Sequence, residues 1–426
     1  MKRIFLGILA LLVLGASGII GVQWFHDPGS DHKGATVTDQ AQQVARGEYL
    51  ARAGNCIGCH TVRNGEPYAG GRTLSTPFGK IYGPNITPDV ETGIGVWSAD
   101  DFWRAIHNGK SKDGQFLYPA FPYPNYTKVS RADADAIFAY LKTVKPVKQK
   151  SKEAELRFPY NQRLLLAFWR TLYFKPGEFE PQAGQSEQWN RGAYLVQGLG
   201  HCGACHTSRD AFGGTTASAD LAGGMIPMQD WYAASLTSDP TTGLGNWEAK
   251  DVADLLHNGV SARGAVFGPM TEVVYNSLQH LSQSDVDAMA AYVKSVPENE
   301  APDVASAPVV EGTRTILARG EQIYKKQCDD CHKADGKGAP PAYPALAGSR
   351  SLNSQSAVNP IRMVFHGGYA PSTRGNPEPY GMPPFSASLN DEEIAAVVSY
   401  IRTSWGNRGG LVSPVDVARY RALPAE

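Results

Sequence analysis

The stretch "ARGEYLARAGNCIGCH", residues 45–60, decides how this chain is read. It begins Ala-Arg-Gly and ends in two cysteines, separated by two residues, with a histidine directly after them. "NRGAYLVQGLGHCGACH" (190–206) and "ARGEQIYKKQCDDCH" (318–332) repeat the pattern. Self-similarity of this kind points to tandem copies of one supersecondary unit. All six cysteines, Cys56, Cys59, Cys202, Cys205, Cys328 and Cys331, belong to these motifs, with His60, His206 and His332 next to them. No thiol is left over for a disulfide framework.

The repeat extends beyond the cysteines. "TGIGVWSADDFWRAIHNG" (92–109) pairs with "TGLGNWEAKDVADLLHNG" (242–259), and "PIRMVFHGG" (360–368) is a divergent third copy. Each unit closes on an apolar stripe at i, i+3, i+4, i+7, the signature of a helix facing a core. The stripes are Ala134, Ile137, Phe138 and Leu141; Val286, Met289, Ala290 and Val293; and Ile394, Val397, Val398 and Ile401. Tyr140, Tyr292 and Tyr400 share one register in them. Gly47, Gly192 and Gly320 lie in the opening helices, where glycine costs up to about 1 kcal/mol relative to alanine. Close helix–helix approach accounts for that cost, so each opening helix is expected to cross its closing helix with glycine against tyrosine.

Three chemistries use a Cys-x-x-Cys pair. Structural zinc needs four ligands, and each motif offers three residues with no second pair nearby. A thioredoxin-like redox pair belongs in a strand–helix setting and needs no histidine. Covalent haem attachment accounts for every residue: two thiols add to the porphyrin vinyl groups and the histidine reaches the iron. The motifs therefore predict three covalently bound haems c, attached at the six cysteines, with His60, His206 and His332 as iron ligands.

A second axial ligand would come from downstream. Met270 in "VFGPMTEVV" and Met382 in "YGMPPF" sit in proline-containing loops suited to thioether ligation. Met289 and Met363 fall on helices and read as core, and Met225 and Met228 read first as packing. The first unit holds "FLYPAFPYP" (116–124) and no methionine at all. Three possibilities remain for its iron: an apolar face filled by Phe121, which is favoured, a nitrogen from His107, or sulfur from Met225 or Met228. His107 and His257 recur in "HNG", and that recurrence favours a shared structural role. Pro344 is expected to offer its carbonyl to His332.

The chain of 426 residues is 42% hydrophobic, enough for several cores, and carries a formal net charge of −1. No basic footprint for nucleic acid is present. After Lys2 and Arg3 comes an uncharged run, residues 4–25, long enough to span a bilayer. It lacks a small-residue cleavage site at its end. An uncleaved anchor is expected, with cleavage after export as the alternative, and the body lies on the far side from Lys2 and Arg3.

These motifs, with "LYPAFPYPNYTKV", "GPMTEVV" and "YIRTSWGN", resemble the three-haem cytochrome c subunit of bacterial membrane-bound dehydrogenases acting on alcohols, aldehydes, gluconate, fructose or glucose. The resemblance implies a mainly α fold of three tandem class I cytochrome c-like domains behind an N-terminal transmembrane helix. Their expected bounds are 1–25 for the anchor, 36–150 for domain 1 and 188–298 for domain 2. Domain 3 is expected over 313–405, with linkers at 151–187 and 299–312 and a tail at 406–426. The resemblance further implies a dehydrogenase catalytic subunit as partner and electron delivery to ubiquinone or another acceptor at the periplasmic face of the inner membrane. His60, His206 and His332 become proximal ligands, and Met270 and Met382 stand opposite the second and third. Many relatives carry methionine where this chain has Phe121. The phenylalanine version is similar to cytochromes that accompany molybdenum hydroxylases. The alternative function is a multihaem enzyme of the peroxidase kind that uses an open first iron.

Overall fold

A computed structural model of the protein describes residues 1–29, 39–215, 217–298 and 311–421. His32 and the expected linker up to residue 310 lie outside the described residues. The chain divides into two bodies: Met1–Ser186 with Ala193–Ala204 and Arg209–Thr216, and Glu187–Gly192 with Cys205–Ser208 and Ala217–Glu426.

The first body begins with α1 (Lys2–Phe25), of mean hydropathy 2.5 and with no buried residue, long and apolar enough to cross a membrane. There follow α2 (Gln40–Ala53), α3 (Cys56–His60), the hairpin β1 (Thr73–Thr76) and β2 (Gly79–Tyr82), α4 (Ala99–Asn108), α5 (Tyr123–Tyr126) and α6 (Arg131–Leu141). β3 (Glu155–Leu156) pairs with β2, and α7 (Leu166–Tyr173) follows. The second repeat runs through α8 (Glu187–Tyr194), a π-helical turn at Leu195–Leu199, α9 (Gly203–His206) and the β4 (Gly224–Ile226)–β5 (Trp231–Ala233) hairpin. It continues with α10 (Ala249–Asn258), β6 (Val260–Ser261), β7 (Gly264–Ala265), α11 (Pro269–Asn276) and α12 (Gln283–Ser295). The third repeat has α13 (Glu311–Gln327), α14 (Asp329–His332), α15 (Arg350–Asn353), α16 (Val358–His366), β8 (Gly368–Tyr369), β9 (Gly381–Met382), α17 (Asp391–Thr403) and α18 (Pro414–Arg421).

One helix crossing recurs in all three repeats. A Cβ added at Gly47 of α2 would lie 1.9 Å from the Ala136 carbonyl oxygen and 2.9 Å from Tyr140 Cβ on α6. At Gly192 the same construction meets Ala288 O at 1.9 Å and Tyr292 Cβ at 2.9 Å. At Gly320 it meets Ala396 O at 2.2 Å and Tyr400 Cβ at 2.7 Å. No side chain fits such gaps, so the glycine-against-tyrosine expectation holds at each crossing. All three crossings are tied by charge as well: Arg46 pairs with Asp133 at 2.6 Å, Arg191 forks onto Asp285 at 2.8 and 2.7 Å, and Arg319 pairs with Glu393 at 3.3 Å. The stretch after residue 405, read as a tail, contributes instead to the core of the third repeat. Val412 and Val417 are buried there with Ile361, Ile394 and Val398.

The exit of α1 is built into the first body. Lys110, its side chain 2% exposed, donates to Trp24 O at 2.9 Å and pairs with Asp27. Trp103 Nε1 donates to Gly29 O at 3.2 Å, and Asn108 Nδ2 to Pro28 O at 3.2 Å. Buried Arg170 of α7 reaches Gln23 Oε1 at 3.0 Å and Asn108 O at 2.6 Å. The apolar run 160–174 thus turns Ala167 and Arg170 into the first body and leaves Leu164, Leu165 and Leu172 exposed.

Candidate functional site

Each cysteine pair ends on a short helical turn set at a sharp bend in the chain. Asn55, before α3, and His201, before Cys202, take left-handed backbone at φ 47 and φ 37, and Lys333 has φ 62 directly after α14. In a single helical turn, residues three and four apart share a face. Cys56 therefore lies on the side of both Cys59 and His60, and the same spacing applies in the other two motifs.

The three histidines share one feature. His60 Nδ1 lies 2.7 Å from Pro84 O, His206 Nδ1 2.6 Å from Ala234 O and His332 Nδ1 3.0 Å from Pro344 O. A carbonyl only accepts, so each ring donates through Nδ1 and keeps its lone pair on Nε2. A hydrogen bond of this kind fixes ring orientation and makes the free nitrogen a better metal ligand. Burial lowers the basicity of all three rings, that of His206 to about 4, and so favours the neutral form that can ligate.

Cys56 and Cys328 are poorly placed to act as thiolate ligands. Burial pushes the Cys56 and Cys328 thiols up to about 12, whereas a metal thiolate needs surroundings that lower that value. Among the described residues no group of three or more His, Cys, Asp or Glu side chains could hold a metal ion. Two thiols and one oriented lone-pair nitrogen per turn fit a covalently attached haem.

The candidate distal residues occupy comparable positions in the first two repeats. Leu117 N donates to Gly109 O and Val266 N to Gly259 O, each at 2.8 Å, after left-handed glycines at φ 60 and φ 76. Counted four residues on from these bonds, Phe121 and Met270 fall at the same register. Phe121 stacks obliquely on Tyr126, with ring centroids 5.2 Å apart. The Tyr126 hydroxyl donates to Gly54 O at 3.0 Å, two residues before Cys56, so Tyr126 links Phe121 to the segment that leads into the first cysteine pair. Met270 is the second residue of α11. Met382, in β9, is held by pairing with Gly368 and packs against the third-repeat core.

The remaining candidates have other surroundings. His107 is buried and stacked on Trp103 at 4.3 Å, and a Cβ at Gly29 would lie 3.0 Å from its Nε2. His257 uses both nitrogens, towards Gln283 Oε1 at 3.3 Å and Gln279 O at 3.1 Å. Met289 is 2% exposed and belongs to the core. Met225 and Met228 are exposed, and the Met225 sulfur accepts from the Ser356 hydroxyl at 3.8 Å. The sequence points to Pro344 as the carbonyl for His332. Pro84 lies in a similar proline setting, which is a signal that could have found it. Ala234 carries no side-chain signature for its role.

The Cytochrome c family profile matches residues 44–145 and 317–405. Over 404 residues the chain is 40% identical to the cytochrome c subunit of gluconate 2-dehydrogenase from Pantoea cypripedii, covering 91% of this chain and 92% of that one. It is 39% identical over 396 residues to the cytochrome c subunit of the quinone alcohol dehydrogenase of Komagataeibacter europaeus, covering 89% and 84%. It is also similar to a nicotinate dehydrogenase subunit from Pseudomonas putida, 41% identical over 372 residues, covering 85% of this chain and 30% of that one.

Proposed function

Because the chain belongs to the family of cytochrome c subunits of dehydrogenases, we propose that it carries three covalent haems c in three tandem cytochrome c-like domains. In this reading it passes electrons from a dehydrogenase catalytic subunit to ubiquinone or another respiratory acceptor. Bound haem iron would supply a one-electron couple at each site. The observation that carries the reading is the threefold recurrence of a histidine whose Nδ1 is held by a carbonyl beside a cysteine pair. The thrice-repeated glycine crossing supports the same count of domains.

The chain's residues set the character of each site. Pro84, Ala234 and Pro344 orient the proximal rings, and Met270 and Met382 offer sulfur, which raises the reduction potential. Phe121 offers no donor, so the first site is expected to have the lowest potential. His107, stacked and enclosed, lies away from the role of a distal base, which weighs against peroxidase chemistry. The gluconate, alcohol and nicotinate relatives stand at 40%, 39% and 41% identity, and each is a dehydrogenase subunit. Phe121 favours a molybdopterin enzyme of the aldehyde or N-heterocycle type over a quinoprotein or flavoprotein.

α1 is retained as a membrane anchor in this reading, with the body on the periplasmic side. Losing residues 23–29 would strip Lys110 of its carboxylate and carbonyls, and an uncompensated buried charge costs about 3–5 kcal/mol. Mass spectrometry of the exported protein tests the haem count. Three haem additions should survive denaturation, and replacing Cys202 and Cys205 with alanine should remove one. An unchanged mass after that replacement would defeat the assignment.

A further inference from the structure

Two buried or half-buried arginines of the second body have their charge answered within the protein. Arg191 forks onto Asp285. Arg402 donates to the carbonyls of Ser354, Ser356, Gly409 and Gly410. Arg350, at the start of α15 in the third repeat, differs. Its guanidinium lies 4.7 Å over the Trp247 ring, and Nη1 donates to Ser235 O at 3.0 Å. Burial pushes its pKa down to about 10, as it does that of Arg402, so the difference lies in hydrogen bonding: one carbonyl acceptor for Arg350 against four for Arg402. A guanidinium stays charged in proteins, and this half-buried one has a single neutral acceptor to answer its charge.

The place of that charge is informative. Ser235 follows Ala234, whose carbonyl accepts from His206 Nδ1, so the carbonyl that holds Arg350 is one residue from the one that holds the proximal ring. Arg350 therefore stands at the edge of the second haem site with several donors free. A haem brings two propionate carboxylates, and a guanidinium fork is well matched to a carboxylate. We propose that Arg350 binds a propionate of the haem held by His206, so that a residue of the third repeat completes the site of the second. The proposal rests on the three-haem reading. Trp247 supplies the flat face that keeps the guanidinium in place.

The geometry also provides a control. Arg362, on α16 of the same repeat, lies 4.7 Å over Trp231 with its Nε unpartnered. Its ring partner is a different tryptophan from that of Arg350, and it does not share the bond to Ser235 O.

The test is a spectroelectrochemical titration of the intact, haem-loaded chain, with the second haem identified as the one whose transition changes in Met270→Ala. A nearby positive charge favours the reduced iron, so Arg350→Gln should lower that midpoint. A tenfold fall in the reduced-to-oxidised ratio, about 59 mV for a one-electron couple, is expected, with the other two midpoints unmoved. Arg350→Lys keeps the charge without the fork and should show a smaller fall of the same midpoint. No movement of that midpoint in either variant would overturn the proposal, as would an equal fall in Arg362→Gln. Haem additions counted by mass on the same samples separate this outcome from failure of the three-haem reading itself.

Discussion

The first and second repeats share a scaffold and differ in what it presents. Both frame their middle helix with a capping box, Ser98 with Asp101 and Glu248 with Asp251, and end it on a left-handed glycine. Both return the chain through the same backbone bond to that glycine. At the register that follows, one holds Phe121 and the other Met270. The histidine of "HNG" diverges in parallel. His107 stacks on Trp103, whereas Ala253 stands in the corresponding place of α10 and His257 turns to Gln279 instead. A shared backbone therefore does not carry the ligand with it. One scaffold presents a phenylalanine ring at this register in the first repeat and a thioether in the second.

Phe121 is where this contrast is most open to challenge. Phe121→Met should make the first site resemble the second, raising one reduction potential by at least about 59 mV, a tenfold change in the reduced-to-oxidised ratio. A redox titration identical to wild type would mean that register alone does not place sulfur on the iron. The converse change, Met270→Ala, should lower one potential and open one haem to carbon monoxide, leaving two unaffected.

Deletions test the contrast on the side of α1, which only the first body contains. Removing residues 1–21 should release the protein from membranes yet preserve its unfolding midpoint. Removing residues 1–29 should also destabilise the first body by about 3–5 kcal/mol, because Lys110 loses Asp27 and the Trp24 and His26 carbonyls together. Equal stability of the two truncations in denaturant would show that the Lys110 tie contributes little.

A smaller effect is expected where the repeats agree. Gly47→Ala and Gly192→Ala each place a methyl group 1.9 Å from a backbone oxygen, and overpacking of this kind costs about 1–3 kcal/mol. Gly320→Ala, with 2.2 Å available, should cost somewhat less. Differential thermal unfolding of the three variants would rank them, and a neutral outcome at Gly47 or Gly192 would contradict the crossing.

Much of the fold and of the site is legible in the sequence because it is local or periodic. The cysteine turns, the closing stripes, the glycine–tyrosine register and the apolar run of α1 are written in spacing alone. What stays hidden depends on contacts distant in sequence. Ala234 acts through its backbone, so its side chain gives no sign of it. Val412 and Val417 resemble a tail because their partners lie on other helices. Residues 193–204 belong to the first body although they continue the opening helix of the second repeat, a division no motif announces. Arg350 acquires its character only from Trp247 and Ser235, which lie more than a hundred residues away in the second repeat.

The proposed arrangement has three covalent haems sharing one proximal geometry, of which only two receive sulfur. Near-infrared absorption of the fully oxidised chain, scaled to the haem count from mass spectrometry, measures this directly. Three haems are expected, with a sulfur-to-iron band of intensity corresponding to two. Intensity corresponding to three would show that a methionine also reaches the first iron, and that Phe121 does not define its site.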